Sequence, residues 1–228
     1  ITKTHPTIGY QKTILGEYME RNRMNRPILK ELSLEAYKDT SILNSVAANL
    51  DSMDFKKVKT KYVKTGWDAI SLHGYGPDPL DILKPGVLKS SVNIEEKLQW
   101  TSLKDNHIMK PILDMLDKLP CEFERVRFMR LEAGKVIGKH TDKIDKDIGF
   151  DDGDIIRVHI PIRTNPQVVF TLYESTKDKE GSEYNLETGH FYYTDVTKAH
   201  AVRNTSDIDR IHLVADCYSN EKMRALLN

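Results

Sequence analysis

His140 and Asp142 stand two positions apart in Lys139-His140-Thr141-Asp142. In an extended segment that spacing sends an imidazole and a carboxylate to the same side. A second imidazole, His200, lies 58 residues beyond Asp142 in KAHAVRNTS, at the start of another predicted strand. Two imidazoles and one carboxylate on a rigid sheet form the facial triad that suits non-haem iron(II). Three protein ligands on one octahedral face leave three positions for a bidentate cosubstrate and oxygen. The single carboxylate offsets one of the two iron charges, so the centre comes close to neutral once a dianion binds. Either part alone is a weak signal, because any exposed strand can carry His-x-Asp or a lone histidine. Arg210 sharpens it, standing ten residues after His200 at the head of RIHLVADC. A buried cosubstrate with a free carboxylate at its far end requires a fixed cationic fork, which Arg supplies bidentately.

The elements that must position these groups show strand periodicity. In 155–164, Ile156, Val158, Ile160 and Ile162 share one parity, and Arg157, His159, Pro161 and Arg163 the other. One face is therefore apolar, while the other presents a guanidinium beside an imidazole. The same split recurs in 210–218, with Arg210 and His212 opposite Ile211, Leu213 and Ala215. Further strands are predicted at 121–131, 135–142, 167–174, 189–194 and 198–204, separated by Gly, Asp, Asn and Lys clusters. Many short strands at this spacing predict a jelly-roll sandwich or barrel. Earlier in the chain, 9–24, 33–51 and 104–118 carry apolar residues at helical spacing; in the last, Ile108, Ile112, Leu113 and Leu116 make one stripe. Residues 59–72 read as extended, ended by the turn chemistry of GYGPDP at 74–79. The fold class expected is mainly β with flanking N-terminal helices covering one outer face of the barrel. No repeat or linker divides the chain, so residues 1–228 are expected to form one domain, with 1–118 a mostly helical covering region and 119–220 the core.

Bulk properties narrow the function classes. With 228 residues the chain can bury a sizeable core. Lys plus Arg and Asp plus Glu both number 34, so no global field favours nucleic acid or an anionic membrane. No apolar run approaches the roughly 20 residues of a spanning helix. The N-terminal ITKTHPTIGYQ lacks the basic-then-apolar pattern of a secretory signal. Cys121 and Cys217 lie far apart with no CxxC spacing, which argues against a thiolate zinc site or disulfide framework and makes the cytoplasm the expected setting; a single bridge between them stays open. Asp145, Asp147, Asp151, Asp152 and Asp154 lack the terminal Glu of a calcium loop and read as a solvated loop. His5, His73, His107 and His190 have no partner pattern, and Trp67 reads as core before substrate platform.

The segments VRFMRLEAGKVIGKHTD, RVHIPIRTNP, Gly189-His190-Phe191-Tyr192 and HAVRNTSDIDRIHLVADC together resemble the aspartyl/asparaginyl β-hydroxylase family, which also contains bacterial hydroxylases of free amino acids such as L-proline. GWDAISLHG at 66–74 resembles the Trp-containing strand that precedes the barrel in relatives, whereas the first 60 residues show no match. The resemblance implies a double-stranded β-helix of cupin-like form. It also implies an iron(II) enzyme that couples hydroxylation of an amino acid or amino-acid side chain to decarboxylation of 2-oxoglutarate, consuming O2 and yielding succinate and carbon dioxide. Carried over by position, it makes His140, Asp142 and His200 the iron ligands and Arg210 the partner of the distal 2-oxoglutarate carboxylate. His159 becomes a neighbour of the cosubstrate and Arg157 a partner of a substrate carboxylate. Two departures stand out. Asp142 is present where some animal aspartyl hydroxylases lack the carboxylate, and Phe191 and Tyr192 occupy a strand where relatives often carry Trp.

Two other classes share the triad. A cupin-like metal hydrolase or isomerase has no need of an arginine at the Arg210 offset. A non-catalytic sensor would be expected to have lost a ligand, and none is lost here.

Overall fold

Period-two alternation becomes sheet in the computed structural model, which describes residues 27–63, 65–84, 97–142 and 148–227. In chain order the strands are β1 Leu29–Glu31, β2 Lys56–Lys57, β3 Trp67–Gly74, β4 Gln99–Trp100, β5 Phe123–Leu131, β6 Val136–His140, β7 Ile155–Arg163, β8 Val168–Tyr173, β9 Ser182–Tyr184, β10 Tyr192–Thr194, β11 Ala199–Asn204 and β12 Arg210–Tyr218. The α-helices are α1 Thr40–Asp51, α2 Lys110–Leu116 and α3 Glu221–Ala225. One sheet runs β1-β10-β7-β12-β5-β3-β2, with β4 also paired to β3; the second runs β6-β11-β8-β9. These pairings are antiparallel. Two facing antiparallel sheets make the jelly roll that the strand spacing predicts.

The parity of the central strands decides which side becomes core. Ile156, Val158, Ile160 and Ile162 of β7 and Ile211, Leu213 and Ala215 of β12 are buried in one cluster with Leu43, Val46, Ala47 and Leu50 of α1 and Ile112, Met115 and Leu116 of α2. Each of the larger aliphatic side chains contributes about 1.5–3 kcal/mol by leaving water, and the helices keep this outer face of the large sheet dry. The inner face turns toward the small sheet, where Ile137, Phe170, Leu172 and Val202 meet Leu131 and Tyr192 in a second cluster. Between the sheets this second cluster fills only part of the space; the remainder is a cavity.

The helices are shorter than the apolar spacing predicts, for local reasons. Within 33–51 only Thr40–Asp51 is α-helical. Asp39 ends it by accepting from the backbone N–H groups of Ser41 and Ile42 at 3.1 and 3.2 Å, a side-chain N-cap. Within 104–118 the α-helix begins at Lys110, after two 3-10 turns at Ser102–Asp105 and His107–Met109. Pro111 has no N–H to give and fits only the first turn, so the helix cannot extend further back. Residues 27–118 also give strand to the sheets, above all β3, buried from Asp68 to Gly74. The expected helix at 9–24 lies outside the described residues, as do His5, Asp145 and Asp147.

The strand expected at 189–194 narrows to Tyr192–Thr194. Gly189 holds φ at +82°, and a Cβ there would collide with the Tyr37 carbonyl oxygen. Only glycine accepts both conditions without strain. Among the described residues no helix is long and apolar enough to cross a membrane. Cys121 and Cys217 are both free thiols.

Candidate active site

Antiparallel pairing of β6 with β11 sets His140 directly opposite His200, with ring centroids 4.2 Å apart. Asp142 lies just past the end of β6, its backbone N–H donating to the Val196 carbonyl at 2.9 Å. Its Oδ1 is 3.5 Å from His140 Nε2 and 4.0 Å from His200 Nε2. One ligand atom from each residue falls within 4.8 Å of the others, a spacing a single metal ion can bridge. The tautomers follow from the far sides of the rings. His140 Nδ1 meets the Gly138 carbonyl at 2.8 Å and His200 Nδ1 the Lys198 carbonyl at 3.0 Å. A carbonyl only accepts, so Nδ1 carries the proton and Nε2 keeps its lone pair for a metal. Burial pushes the His200 pKa down to about 4 against the upward pull of Asp142, which keeps the ring neutral. Tyr62 stacks on His140 at 4.6 Å, and Phe170 lies parallel to His200 at 5.9 Å.

The three ligands open onto a cavity of about 610 Å³ whose lining includes Arg157, His159 and Arg210. Arg210 is only 3% exposed, and among the described residues no carboxylate pairs with it. One of its terminal nitrogens lies 2.7 Å from His212 Nδ1. Arginine only donates, so His212 accepts at Nδ1 and carries its proton on Nε2. That Nε2, both ring nitrogens of His159 and Arg210 Nε are buried with no hydrogen-bond partner among the described residues. Burial first, and the Arg210 charge second, hold the pKa values of His159 and His212 well below the ordinary histidine range. Buried polar atoms left unmatched are costly. Here they surround one guanidinium at the cavity wall, which is the arrangement an anionic, hydrogen-bonding ligand would satisfy. The residues present therefore fit 2-oxoglutarate.

A cationic network forms the neighbouring wall. Asp216, fully buried on β12, is paired across the ladders with Arg125 of β5 and Arg157 of β7. Its carboxylate meets Arg157 Nε at 2.6 Å, one Arg125 terminal nitrogen at 3.0 Å and one Arg127 terminal nitrogen at 3.2 Å. These guanidiniums overcome the burial penalty and hold its pKa far below the usual carboxylate range. Arg157 also donates to Asp142 Oδ2. Lys84 pairs with the buried Glu124 at 2.6 Å and lines the same cavity.

All six residues singled out by sequence, His140, Asp142, Arg157, His159, His200 and Arg210, line this one cavity. Trp67 lines it too, half-buried, its ring 6.4 Å from that of His140. Sequence reasoning missed Tyr62, Arg125, Arg127 and Asp216. Asp216 was within reach, since it continues the parity of Arg210 and His212 along β12. Tyr62 had no such signal, because it precedes β3 in a turn. His73 and His190, read as ordinary, are engaged structurally, His73 with the Glu124 carbonyl at 3.1 Å and His190 with the Glu31 carboxylate at 2.7 Å. In the aspartate-rich loop, Asp151 and Asp152 are exposed and Asp152 pairs with Arg224.

A sequence model of aspartyl/asparaginyl β-hydroxylase matches residues 26–220. No curated protein matches the sequence. Among solved structures, a prolyl hydroxylase from Trichoplax adhaerens, in complex with a hypoxia inducible factor oxygen degradation domain peptide fragment, is 14% identical over 99% of this chain and 98% of its own, with a TM-score of 0.50. The non-haem α-ketoglutarate-dependent epimerase SnoN of nogalamycin biosynthesis is 10% identical over 90% of this chain and 84% of its own, with a TM-score of 0.53. The same epimerase in complex with Fe3+, α-ketoglutarate and nogalamycin RO gives a TM-score of 0.52 at the same identity and coverage. At such identities the likeness establishes the jelly-roll fold.

Proposed function

This chain belongs to the aspartyl/asparaginyl β-hydroxylase family and is an iron(II)- and 2-oxoglutarate-dependent hydroxylase; on that premise we propose that His140, Asp142 and His200 hold the iron and Arg210 the cosubstrate. When bound, iron and 2-oxoglutarate supply the oxygen-activating chemistry, coupling substrate hydroxylation to formation of succinate and carbon dioxide. The single observation that carries the assignment is one cavity holding both the three-ligand cluster and a buried arginine without a carboxylate partner among the described residues.

The geometry supports each of these roles. His140 Nε2, His200 Nε2 and Asp142 Oδ1 converge, the two imidazoles oriented by their Nδ1 bonds so that Nε2 faces the centre. Arg210 receives the distal carboxylate as a fork; His159 lines the cavity with its ring nitrogens unmatched among the described residues, and His212 backs the guanidinium through Nδ1. Phe170, Val202, Val214 and Met129 line the cavity with hydrocarbon and exclude water around the buried charge pair.

The substrate we assign is an amino acid, free or within a peptide, that carries a carboxylate. In support, the cavity is lined by Lys59, Lys61, Lys84, Arg125, Arg127 and Arg157, against Asp142 as the one acidic residue among the described lining. Arg157, expected to face the substrate carboxylate, belongs to this wall while engaging Asp142 and Asp216. The proposed ligands fall within 119–220, and the earlier residues add Tyr62, Trp67 and Lys84 to the wall, so we take 1–228 as one functional unit. Two free thiols suit a reducing compartment such as the cytoplasm.

The test is succinate formation with iron(II), ascorbate and 2-oxoglutarate across a panel of free amino acids and acidic peptides. Turnover stimulated by a carboxylate-bearing member is expected, and His140→Ala should abolish it while retaining the fold. Wild-type turnover in His140→Ala would remove the metal assignment.

A further inference from the structure

The geometry points to Arg157 and Asp216 as a two-residue clamp that makes Asp142 a one-oxygen metal ligand. This rests on the reading that His140, Asp142 and His200 hold the metal.

The two oxygens of Asp142 have different surroundings. Oδ1 faces the Nε2 atoms of both histidines, at 3.5 and 4.0 Å. Oδ2 points away and accepts from an Arg157 terminal nitrogen. Arg157 cannot swing off, because its other edge is a fork on Asp216: Nε to Oδ1 at 2.6 Å and the second terminal nitrogen to Oδ2 at 3.2 Å. Two parallel charge-assisted bonds fix a guanidinium in plane as well as in place. Asp216 is in turn immobile, fully buried on a central strand and held also by Arg125 and Arg127. Rigidity therefore passes from the sheet through Asp216 and Arg157 to a carboxylate that is itself past the end of its strand.

The reaction needs that restraint. Asp142 is one-quarter exposed, and its backbone N–H is tied to Val196, in the turn between β10 and β11. A freely turning carboxylate could offer the metal both oxygens and take one of the three positions required by cosubstrate and oxygen. With Oδ2 held by Arg157, only Oδ1 remains for the metal. Arg157 is thus a positioning residue, and Asp216 positions it. The substrate carboxylate can still approach the same cationic wall, so the two roles must be separated by measurements made without substrate.

The experiment uses Co(II) in place of iron, with no substrate present, on wild type and Arg157→Gln. Metal affinity is read by calorimetry, and coordination number by the visible Co(II) bands, which differ between five- and six-coordinate ions. Arg157→Gln should weaken Co(II) binding on the order of 10- to 100-fold, as removal of a group that orients a ligand does, and should alter the bands. Asp216→Asn should move both readouts in the same direction. In an Asp142→Ala background the Arg157→Gln effect on affinity should largely vanish, because residues that act through one another are not additive. If Arg157→Gln does not fold, Arg157→Lys replaces it: an ammonium cannot span both carboxylates, and the same band change is expected. Wild-type affinity and bands in the folded Arg157 variant would overturn the clamp, as would an undiminished loss in the Asp142→Ala background. Wild-type protein that bound no Co(II), or His140→Ala that bound it normally, would instead sink the metal assignment itself.

Discussion

Replacing Arg210 by Met separates its role in binding from any role in folding. Arg210 is 3% exposed, sits beside the neutral His159 and His212, and meets no carboxylate among the described residues. Burial pulls down on the guanidinium pKa, so in the ligand-free protein this charge is a net cost. An incoming carboxylate offsets that cost and gains a fork of two donors. Removing one partner of such a buried pair costs about 2–5 kcal/mol, or roughly 30-fold to several-thousand-fold in affinity. Methionine fills similar volume without charge, so the ligand-free fold should hold its stability or gain some, as when buried ions give way to apolar side chains. Arg210→Lys should weaken binding less, since it keeps the charge but loses the planar fork. The assay is anaerobic calorimetry of 2-oxoglutarate binding to the iron(II) protein, paired with thermal melts. Wild type at about 100 times its dissociation constant should gain about 2.7 kcal/mol, and Arg210→Met at the same concentration only about 0.9 kcal/mol for a roughly 30-fold loss, falling to almost none for a several-thousand-fold loss. Unchanged affinity in Arg210→Met would refute the cosubstrate assignment. A sharply destabilised ligand-free variant would refute the account of Arg210 as an uncompensated buried charge.

Acid should destabilise the metal-free protein well before its carboxylates titrate. His159 and His212 have folded pKa values held far below normal by burial, so below about 6.5 the unfolded chain binds protons that the folded chain refuses. Stability is full above that pH and falls beneath it by up to about 1.4 kcal/mol per pH unit for each histidine; urea midpoints at pH 7 and 5 measure this, and His212→Gln should give a shallower slope. A flat profile between those values would contradict neutral burial. Gly189→Ala should cost at least about 1–2 kcal/mol from its left-handed backbone alone, with further loss from the clash with Tyr37; a melting temperature equal to wild type would show that this turn does not constrain the approach to β10.

Local periodicity made much of the site legible. The spacing of His140 and Asp142 and the parity of Arg157 with His159 and of Arg210 with His212 are consequences of a period-two backbone, true of any strand before it is packed. The same alternation named Ile156, Val158, Ile160, Ile162, Ile211, Leu213 and Ala215 as the buried face, and they are buried. Helix ends were less legible because they turn on single residues, Asp39 as a cap and Pro111 as a stop, which apolar spacing does not register. What only the tertiary structure decided is which polar groups meet. Asp216 and Arg157 are 59 residues apart and Arg157 and Asp142 15 apart, and nothing in strand periodicity says which strands become neighbours or in what register. Placing β12 between β5 and β7 put one buried carboxylate among three arginines, and pairing β6 with β11 brought His140 onto His200. Side-chain direction is set residue by residue, whereas ion pairing between strands is set by sheet order, and sheet order is settled only when the apolar faces of the whole chain are buried together.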